Sequence, residues 1–237
     1  MTELRNYDSA QEVADAAAEN AVDILRLAIE QKGKASWVLA GGTSPMAAYE
    51  VIVKQYADAI DWSLITIIIG DERLVPLADH DSNWGAIIKL FDKDPLVARV
   101  QRIVPDTSLS PELAAHHYER ALKDAGILRF DLMWVGVGED GHTLSLFPGH
   151  DSFADTTERL VIPVYDSPKL PAERISLSLR AFEHIVELVI FAVGASKYEV
   201  LKKARLKGGV PVSIAAEIAE AHGAEVRWLY DAAAWGE

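Results

Sequence analysis

Apolar residues fall in two rhythms along the chain. Val13, Ala17, Ala21, Ile24, Leu25 and Ala28 recur at three- and four-residue spacing, which puts them on one face of a helix. Before them, Ser9-Ala10-Gln11-Glu12 has the form of a capping box, in which Ser and Glu satisfy each other's free backbone N–H groups. Gly33 ends the run. Residues 36–40 (SWVLA), 64–69 (LITIII), 131–135 (DLMWV), 160–164, 175–179, 188–193 and 225–230 are short apolar runs that read as strands. The run 64–69 is rich in β-branched residues and predicts a strand buried on both faces, as in a parallel sheet. Helical patterns lie between them: 45–56, a helix capped by Asp81 or Ser82 and running through Leu90, and one opened by Ser110-Pro111-Glu112 that ends near Gly126. Further helices are expected at 181–186, 197–206 and 212–222, and long loops at 70–83, 136–149 and 166–173.

Strands alternating with helices predict an α/β fold with a mostly parallel, twisted sheet flanked by helices, a modified Rossmann-like arrangement. No repeat, linker or low-complexity stretch interrupts it, so one domain over residues 1–237 is expected. Half of the residues are hydrophobic and 25% are charged, which is ordinary for a globular chain large enough to bury a sizeable core. The absence of cysteine excludes a disulfide framework, a Cys nucleophile and Cys-ligated metal sites. The formal net charge of -13 argues against nucleic acid and anionic membranes as partners. A few convergent basic groups could still hold a small anion. The opening MTELRNYDSAQE has no basic and apolar leader pattern. Stretches such as 188–195 fall far short of the ~20 apolar residues a span needs. A soluble, cytoplasmic protein is expected.

In such sheets, ligands bind at the carboxyl ends of strands, so the loops there carry the candidate chemistry. Gly41-Gly42-Thr43-Ser44-Pro45 joins a strand to a helix. Its glycines, hydroxyls and helix N-terminus suit a phosphate, and equally a tight turn with a Ser cap. Gly70-Asp71-Glu72-Arg73 puts three charges at the rim of the most apolar strand, where Arg73 could pair with a carboxylate or a phosphate. Asp79-His80-Asp81 reads as a solvated acidic turn, with metal ligation the other option.

Gly136-Val137-Gly138-Glu139-Asp140-Gly141 matches the dinucleotide fingerprint literally, but lies far from the first strand–helix unit, and Pro148 cuts any following helix short. No cofactor is expected there. His142 follows two residues after Asp140 in this glycine-flanked loop, placed for proton transfer. Lys169 lies in the loop 166–173, Arg174 at a strand start, and Lys197 behind Gly194-Ala195-Ser196 at a helix start. A Lys at a helix N-terminus is electrostatically unfavourable, which suggests an anion ligand or a side chain snorkelling at the surface.

Together these loops resemble the 6-phosphogluconolactonase family. The resemblance is carried by Ala40-Gly41-Gly42-Thr43-Ser44-Pro45, Gly70-Asp71-Glu72-Arg73, Asp81-Ser82-Asn83 and the stretch from Gly136 through Asp140-Gly141-His142 to Ser145-Leu146-Phe147-Pro148-Gly149. Pro168-Lys169, Arg174-Ile175-Ser176 and Gly194-Ala195-Ser196-Lys197 complete it, in order and over nearly the whole chain. The sister family, glucosamine-6-phosphate deaminase/isomerase, is less similar, tending to Asp-Glu-Tyr where Arg73 follows Glu72 here. Leu144 and Thr43 depart from the lactonase pattern and leave substrate preference open.

The resemblance implies hydrolysis of 6-phosphoglucono-1,5-lactone to 6-phosphogluconate in the pentose phosphate pathway, a carboxylic-ester hydrolase reaction that needs no metal or organic cofactor. Deamination of glucosamine 6-phosphate and silent sugar-phosphate binding are the alternatives. His142 would be the general base and acid, oriented by Asp140. Arg73 would give electrostatic help, and Asp71 would position Arg73 or a sugar hydroxyl. Gly41, Gly42, Thr43 and Ser44 would receive the phosphate, clamped by Arg174, Lys197 and Lys169. The carboxylate of Asp140 is expected to raise the titration point of His142, so activity should fall as the pH drops through about 6–7. The expected partner is the small-molecule lactone alone, and the expected assembly a monomer or small homo-oligomer.

Overall fold

The computed structural model describes residues 2–154, 158–205 and 208–236. Ten strands and eight α-helices follow in the order β1 (Thr2–Tyr7), α1 (Ala10–Lys32), β2 (Ala35–Leu39), α2 (Thr43–Gln55), β3 (Ile65–Ile69), β4 (Asp71–Arg73), α3 (Asn83–Phe91), β5 (Gln101–Ile103), α4 (Pro111–Asp124), β6 (Phe130–Gly136), α5 (Asp151–Ala154), β7 (Val161–Val164), β8 (Arg174–Leu177), β9 (Ile185–Ala192), α6 (Tyr198–Arg205), α7 (Pro211–Ala221), β10 (Glu225–Asp231) and α8 (Ala232–Trp235), counted among the described residues.

Seven strands form one sheet in the order β1-β10-β9-β6-β2-β3-β5, every neighbouring pair parallel. Helices cover its faces, so β2, β6 and β9 are buried almost throughout and read as unbroken apolar runs. Helix α1 buries its Val13–Leu25 stripe, largely alanine, which lets it pack close against the sheet and α2. Gly33 closes it with φ 75°, as the sequence predicts. The capping box is half formed: Ser9 Oγ accepts the Glu12 N–H, but the Glu12 carboxylate accepts the N–H of Asp8 in place of that of Ser9. Ser82 is the residue that caps α3. Trp37, Tyr49, Phe91, Trp134 and Phe191 form one aromatic cluster under the carboxyl half of the sheet, with neighbouring ring centroids about 5 to 6 Å apart.

The sheet reverses direction between β2 and β6. From β2 the chain proceeds outward through β3 to β5, then returns to lay β6 on the other side of β2. A crevice opens at such a switch point, beyond the strand ends.

Several expectations needed correction. The runs 160–164 and 175–179 form β7 and β8, which lie outside the parallel sheet. They pair antiparallel in a three-stranded sheet of order β4-β8-β7. The expected loop 70–83 begins with β4, whose polar Asp71-Glu72-Arg73 is held by pairing with β8, not by any apolar pattern. β1 and β5 lack a clean apolar run and owe their extended form to edge pairing. The expected helix 181–186 is a 3-10 turn over Leu179–His184. The expected helix 197–206 is a 3-10 turn, Ala195–Lys197, followed by α6, and Leu206 lies outside the described residues.

Candidate active site

A cavity of about 330 Å³ lies over the β2/β6 switch point, open to solvent. Four loops and the short strand β4 meet there: three of the loops leave the ends of β2, β6 and β9, and one connects β7 to β8.

The loop after β6 carries His142. Its Gly138 N–H donates to the His142 carbonyl at 2.8 Å, and the Gly141 N–H donates back to the Gly138 carbonyl at 2.9 Å. This small turn brings Asp140 Oδ1 to both the His142 N–H and its Nδ1. With Nδ1–H donated to the carboxylate, Nε2 of the neutral ring is left as the acceptor for a substrate proton. Glycine is required at 138: a Cβ there would lie 2.0 Å from the imidazole. The ring stacks obliquely on Phe147 at 4.7 Å, and the side chain is only 17% exposed. Burial pulls the imidazole below its ordinary titration point and outweighs the hydrogen bond and charge of Asp140 that pull it up. The upward shift expected from sequence is therefore reversed. Burial also pushes Asp140 up, but its hydrogen bond and ion pair with His142 prevail and hold it below the usual carboxylate range.

The strand β4 forms the next wall. Alternation along a strand sends Asp71 and Arg73 to one side and Glu72 to the other. Asp71 and Arg73 line the cavity. Asp71 Oδ2 accepts the Ser145 hydroxyl at 2.7 Å. Arg73 Nη1 donates to the Asp81 carbonyl at 2.6 Å, while its Nε is a buried donor with no acceptor among the described residues. Such a group costs about 1–3 kcal/mol, and buried Trp37 Nε1 and Trp134 Nε1 share that state in the core. Arg73 stands directly opposite Arg174 in the β4–β8 register. Like charges so placed destabilise a sheet, and the Asp71 carboxylate, 4.0 Å from Arg174 Nη1, offsets part of that charge.

Glu72 is fully buried, and its two oxygens accept the N–H groups of Arg73, Asn83 and Trp84 and the Ser82 hydroxyl. It caps α3 from within the protein. With both oxygens occupied, it is no candidate base.

The loop after β2 brings Gly41 and Gly42 to the cavity. The Tyr49 hydroxyl pins the strand end by accepting the Ala40 N–H and donating to the Ala40 carbonyl. A Cβ on Gly41 would lie 2.0 Å from Asn83 Oδ1, so only glycine lets this backbone approach the Asn83 amide. Gly42, with φ 96°, begins α2 without a side-chain cap. Thr43 and Ser44 lie in the first turn of α2 and are not on the cavity lining. The Ser cap suggested by the sequence is absent.

The remaining cations arrive from two directions. Lys169 lies on the exposed loop between β7 and β8, and half-buried Lys197 ends the 3-10 turn after β9. Burial lowers the titration point of Lys197, which Glu139 and Asp140 partly offset. Arg174 also lines the cavity, but its donors are largely engaged by the protein. Nε reaches the Pro171 carbonyl, Nη2 the Lys169 and Leu170 carbonyls, and Nη1 the Ser145 hydroxyl. The side chain is a strut beneath the loop that presents Lys169.

Sequence reasoning did not single out Ser145, Leu144 or Asn83 as site residues. Ser145 couples Asp71 to Arg174 across long sequence separations, which leaves no local signal. Leu144 lines the cavity with φ 53°, a conformation unusual for leucine. Asn83 joins Gly41 to the Asp71 carbonyl. The Asp79-His80-Asp81 turn is largely exposed, with possible ligand atoms within 4.8 Å of one another and His80 already beside Asp79.

The molecule is an α/β protein whose parallel sheet and small antiparallel sheet together bring an imidazole, a carboxylate and four cations to one cleft at the switch point. The profile of one family, Glucosamine-6-phosphate isomerases/6-phosphogluconolactonase, matches residues 8–228, and the chain belongs to that family. It is 34% identical over 185 residues to 6-phosphogluconolactonase 3 of Saccharomyces cerevisiae, covering 73% of each chain. It is 29% identical over 218 residues to the chloroplastic 6-phosphogluconolactonase 3 of Arabidopsis thaliana, covering 86% of this chain and 67% of the relative. The chain spans 66% of the length of a Caenorhabditis elegans relative 32% identical to it, just under two thirds. The fold is similar to the crystal structure of the Thermotoga maritima 6-phosphogluconolactonase, with a TM-score of 0.84, 25% identity, and coverage of 98% of this chain and 100% of that one. No helix among the described residues is long and apolar enough to cross a membrane.

Proposed function

We propose that the chain hydrolyses 6-phospho-D-glucono-1,5-lactone to 6-phospho-D-gluconate, as a carboxylic-ester hydrolase of the oxidative pentose phosphate pathway. The observation that carries this reading is the His142–Asp140 pair facing a cavity that also holds Arg73, Lys169 and Lys197.

A water attacks C1 of the lactone as His142 Nε2 takes one of its protons. Asp140 holds the resulting imidazolium in place. Negative charge develops on the carbonyl oxygen, and Arg73 supports it electrostatically. When the C1–ring oxygen bond breaks, His142 returns the proton to the departing oxygen. The product acid then ionises, and the imidazole is neutral again. No step requires a metal or an organic cofactor. Asp71, held by Ser145, orients Arg73 or a sugar hydroxyl. Lys197, Lys169 and the backbone N–H groups of Gly41 and Gly42 receive the phosphate, and Arg174 supports the Lys169 loop from below.

The same reading takes the chain as one domain, supported by a continuous buried apolar cluster. It works on a small-molecule lactone in the cytoplasm, as a monomer or small homo-oligomer. The deciding assay follows proton release from fresh 6-phosphogluconolactone beside ammonia release from glucosamine 6-phosphate. Lactone hydrolysis well above the spontaneous rate supports the reading. Ammonia release alone replaces it with the deaminase, and tight phosphosugar binding with neither activity replaces it with a silent binder.

A further inference from the structure

Lys197 is the more buried of the two cavity lysines, and the turn that places it is tied to a residue outside its own loop. Gly194, at φ 93° and ψ 152°, opens the turn, and the Lys197 N–H closes it onto the Gly194 carbonyl at 2.9 Å. The Gly194 N–H points away from the turn and donates at 2.9 Å to Oδ1 of Asp231, the last residue of β10. Asp231 is 6% exposed. The same oxygen accepts the Ala234 N–H at 2.9 Å and caps α8. Packing reinforces the joint: the Tyr198 ring, next to Lys197, lies against Gly236, where a Cβ would come within 2.7 Å of it.

We propose that Asp231 is a positioning residue for substrate, acting through the hydrogen-bond series Asp231–Gly194–Lys197 to hold the ammonium at the phosphate end of the cavity. Asp231 touches neither substrate nor the reacting atoms. Its charge-assisted acceptor ties the Gly194 amide to the end of β10, and so fixes the turn from which the lysine side chain starts. The short C-terminal helix is then part of the substrate site, although it lines no part of the cavity. The inference rests on the phosphate-binding role given to Lys197 above.

The test compares Lys197→Ala, Asp231→Ala, Asp231→Asn and the double variant K197A/D231A on 6-phosphogluconolactone and on unphosphorylated gluconolactone. Asp231→Ala should raise KM for the phosphorylated lactone by about 3- to 10-fold, with a much smaller effect on kcat. The loss on the unphosphorylated lactone should be clearly smaller. Asp231→Asn keeps an acceptor oxygen and should restore most of the affinity. In the double variant the loss should equal that of Lys197→Ala alone, because both changes remove one interaction. If Lys197→Ala affects both lactones equally, the phosphate-binding reading fails. If Lys197→Ala discriminates while Asp231→Ala does not, or if the two losses multiply, Asp231 is structural only and the proposal is overturned. Should Asp231→Ala fail to fold, Asp231→Ser carries the same comparison, since a serine hydroxyl can still cap α8 but is too short to hold both amides.

Discussion

Burial and Asp140 pull on the His142 imidazole in opposite directions, and burial prevails. The sign of the pH dependence follows. As the proposed base, His142 would work only when neutral, and a lowered titration point keeps it neutral further into acid. The acid limb of kcat/KM should therefore lie below the ordinary imidazole value of about 6.5, after subtraction of spontaneous hydrolysis; a limb above that value would show that the Asp140 charge dominates. His142→Ala should lower single-turnover rate by roughly 10²–10⁴ and leave 6-phosphogluconate affinity close to parental. A near-parental rate would mean the base is misassigned, with Asp71 the next candidate. Gly138→Ala probes the same geometry from the backbone, because its methyl group would occupy the space of the imidazole. It should lose rate far more than product affinity, measured by titration with 6-phosphogluconate.

At the scale of the element, β4 shows how three consecutive charges divide between two roles. Asp71 and Arg73 face the cavity, while Glu72 turns inward to cap α3. Glu72→Ala would leave buried N–H groups unpaired, each costing about 1–3 kcal/mol, so thermal unfolding should move down by many degrees. An unchanged Tm would mean water replaces the carboxylate without penalty. Arg174 tests the difference between a clamp and a strut. Because its donors hold the carbonyls of Lys169, Leu170 and Pro171, Arg174→Ala should lower Tm, and its loss on the phosphorylated lactone should not add to that of Lys169→Ala. Losses that multiply, with Tm unchanged, would return Arg174 to direct phosphate contact.

Across the whole molecule, a chain of formal net charge -13 concentrates Arg73, Lys169, Arg174 and Lys197 around one cavity. The proposed anionic substrate would approach through a repulsive far field toward a local attractive one. The local field is partly buried and dominates at contact, but salt weakens exposed Lys169 strongly. Raising ionic strength from about 0.01 M to about 0.5 M, which shortens the screening length from roughly 30 Å to below 8 Å, should raise KM for the phosphorylated lactone. The unphosphorylated one should respond little. A fall in KM with salt would show that repulsion by the acidic surface outweighs the cleft.

Five of the seven strands of the parallel sheet, the long helices and the His142–Asp140 loop were legible in the sequence, because each rests on short-range pattern, whereas β1, β4 and β5 were not and β7 and β8 were read into the wrong sheet. Apolar runs set buried strands, Gly33 and Pro111 set helix ends, and the two-residue spacing of Asp140 and His142 lets one turn join them. What the sequence could not determine depends on contacts between distant segments. The polar β4 becomes a strand only because β8 pairs with it. The titration direction of His142 is set by how deeply the ring lies beside Phe147, not by its chain neighbour alone. Arg174 reads as a free cation until the 169–171 carbonyls close around it. Asp231 reads as an unremarkable strand-end carboxylate until β9 and β10 lie side by side and bring Gly194 to it. Local propensity and periodicity fix which elements form, whereas desolvation and hydrogen-bond partnership belong to the packed three-dimensional neighbourhood, and those two quantities decide what each charged group can do.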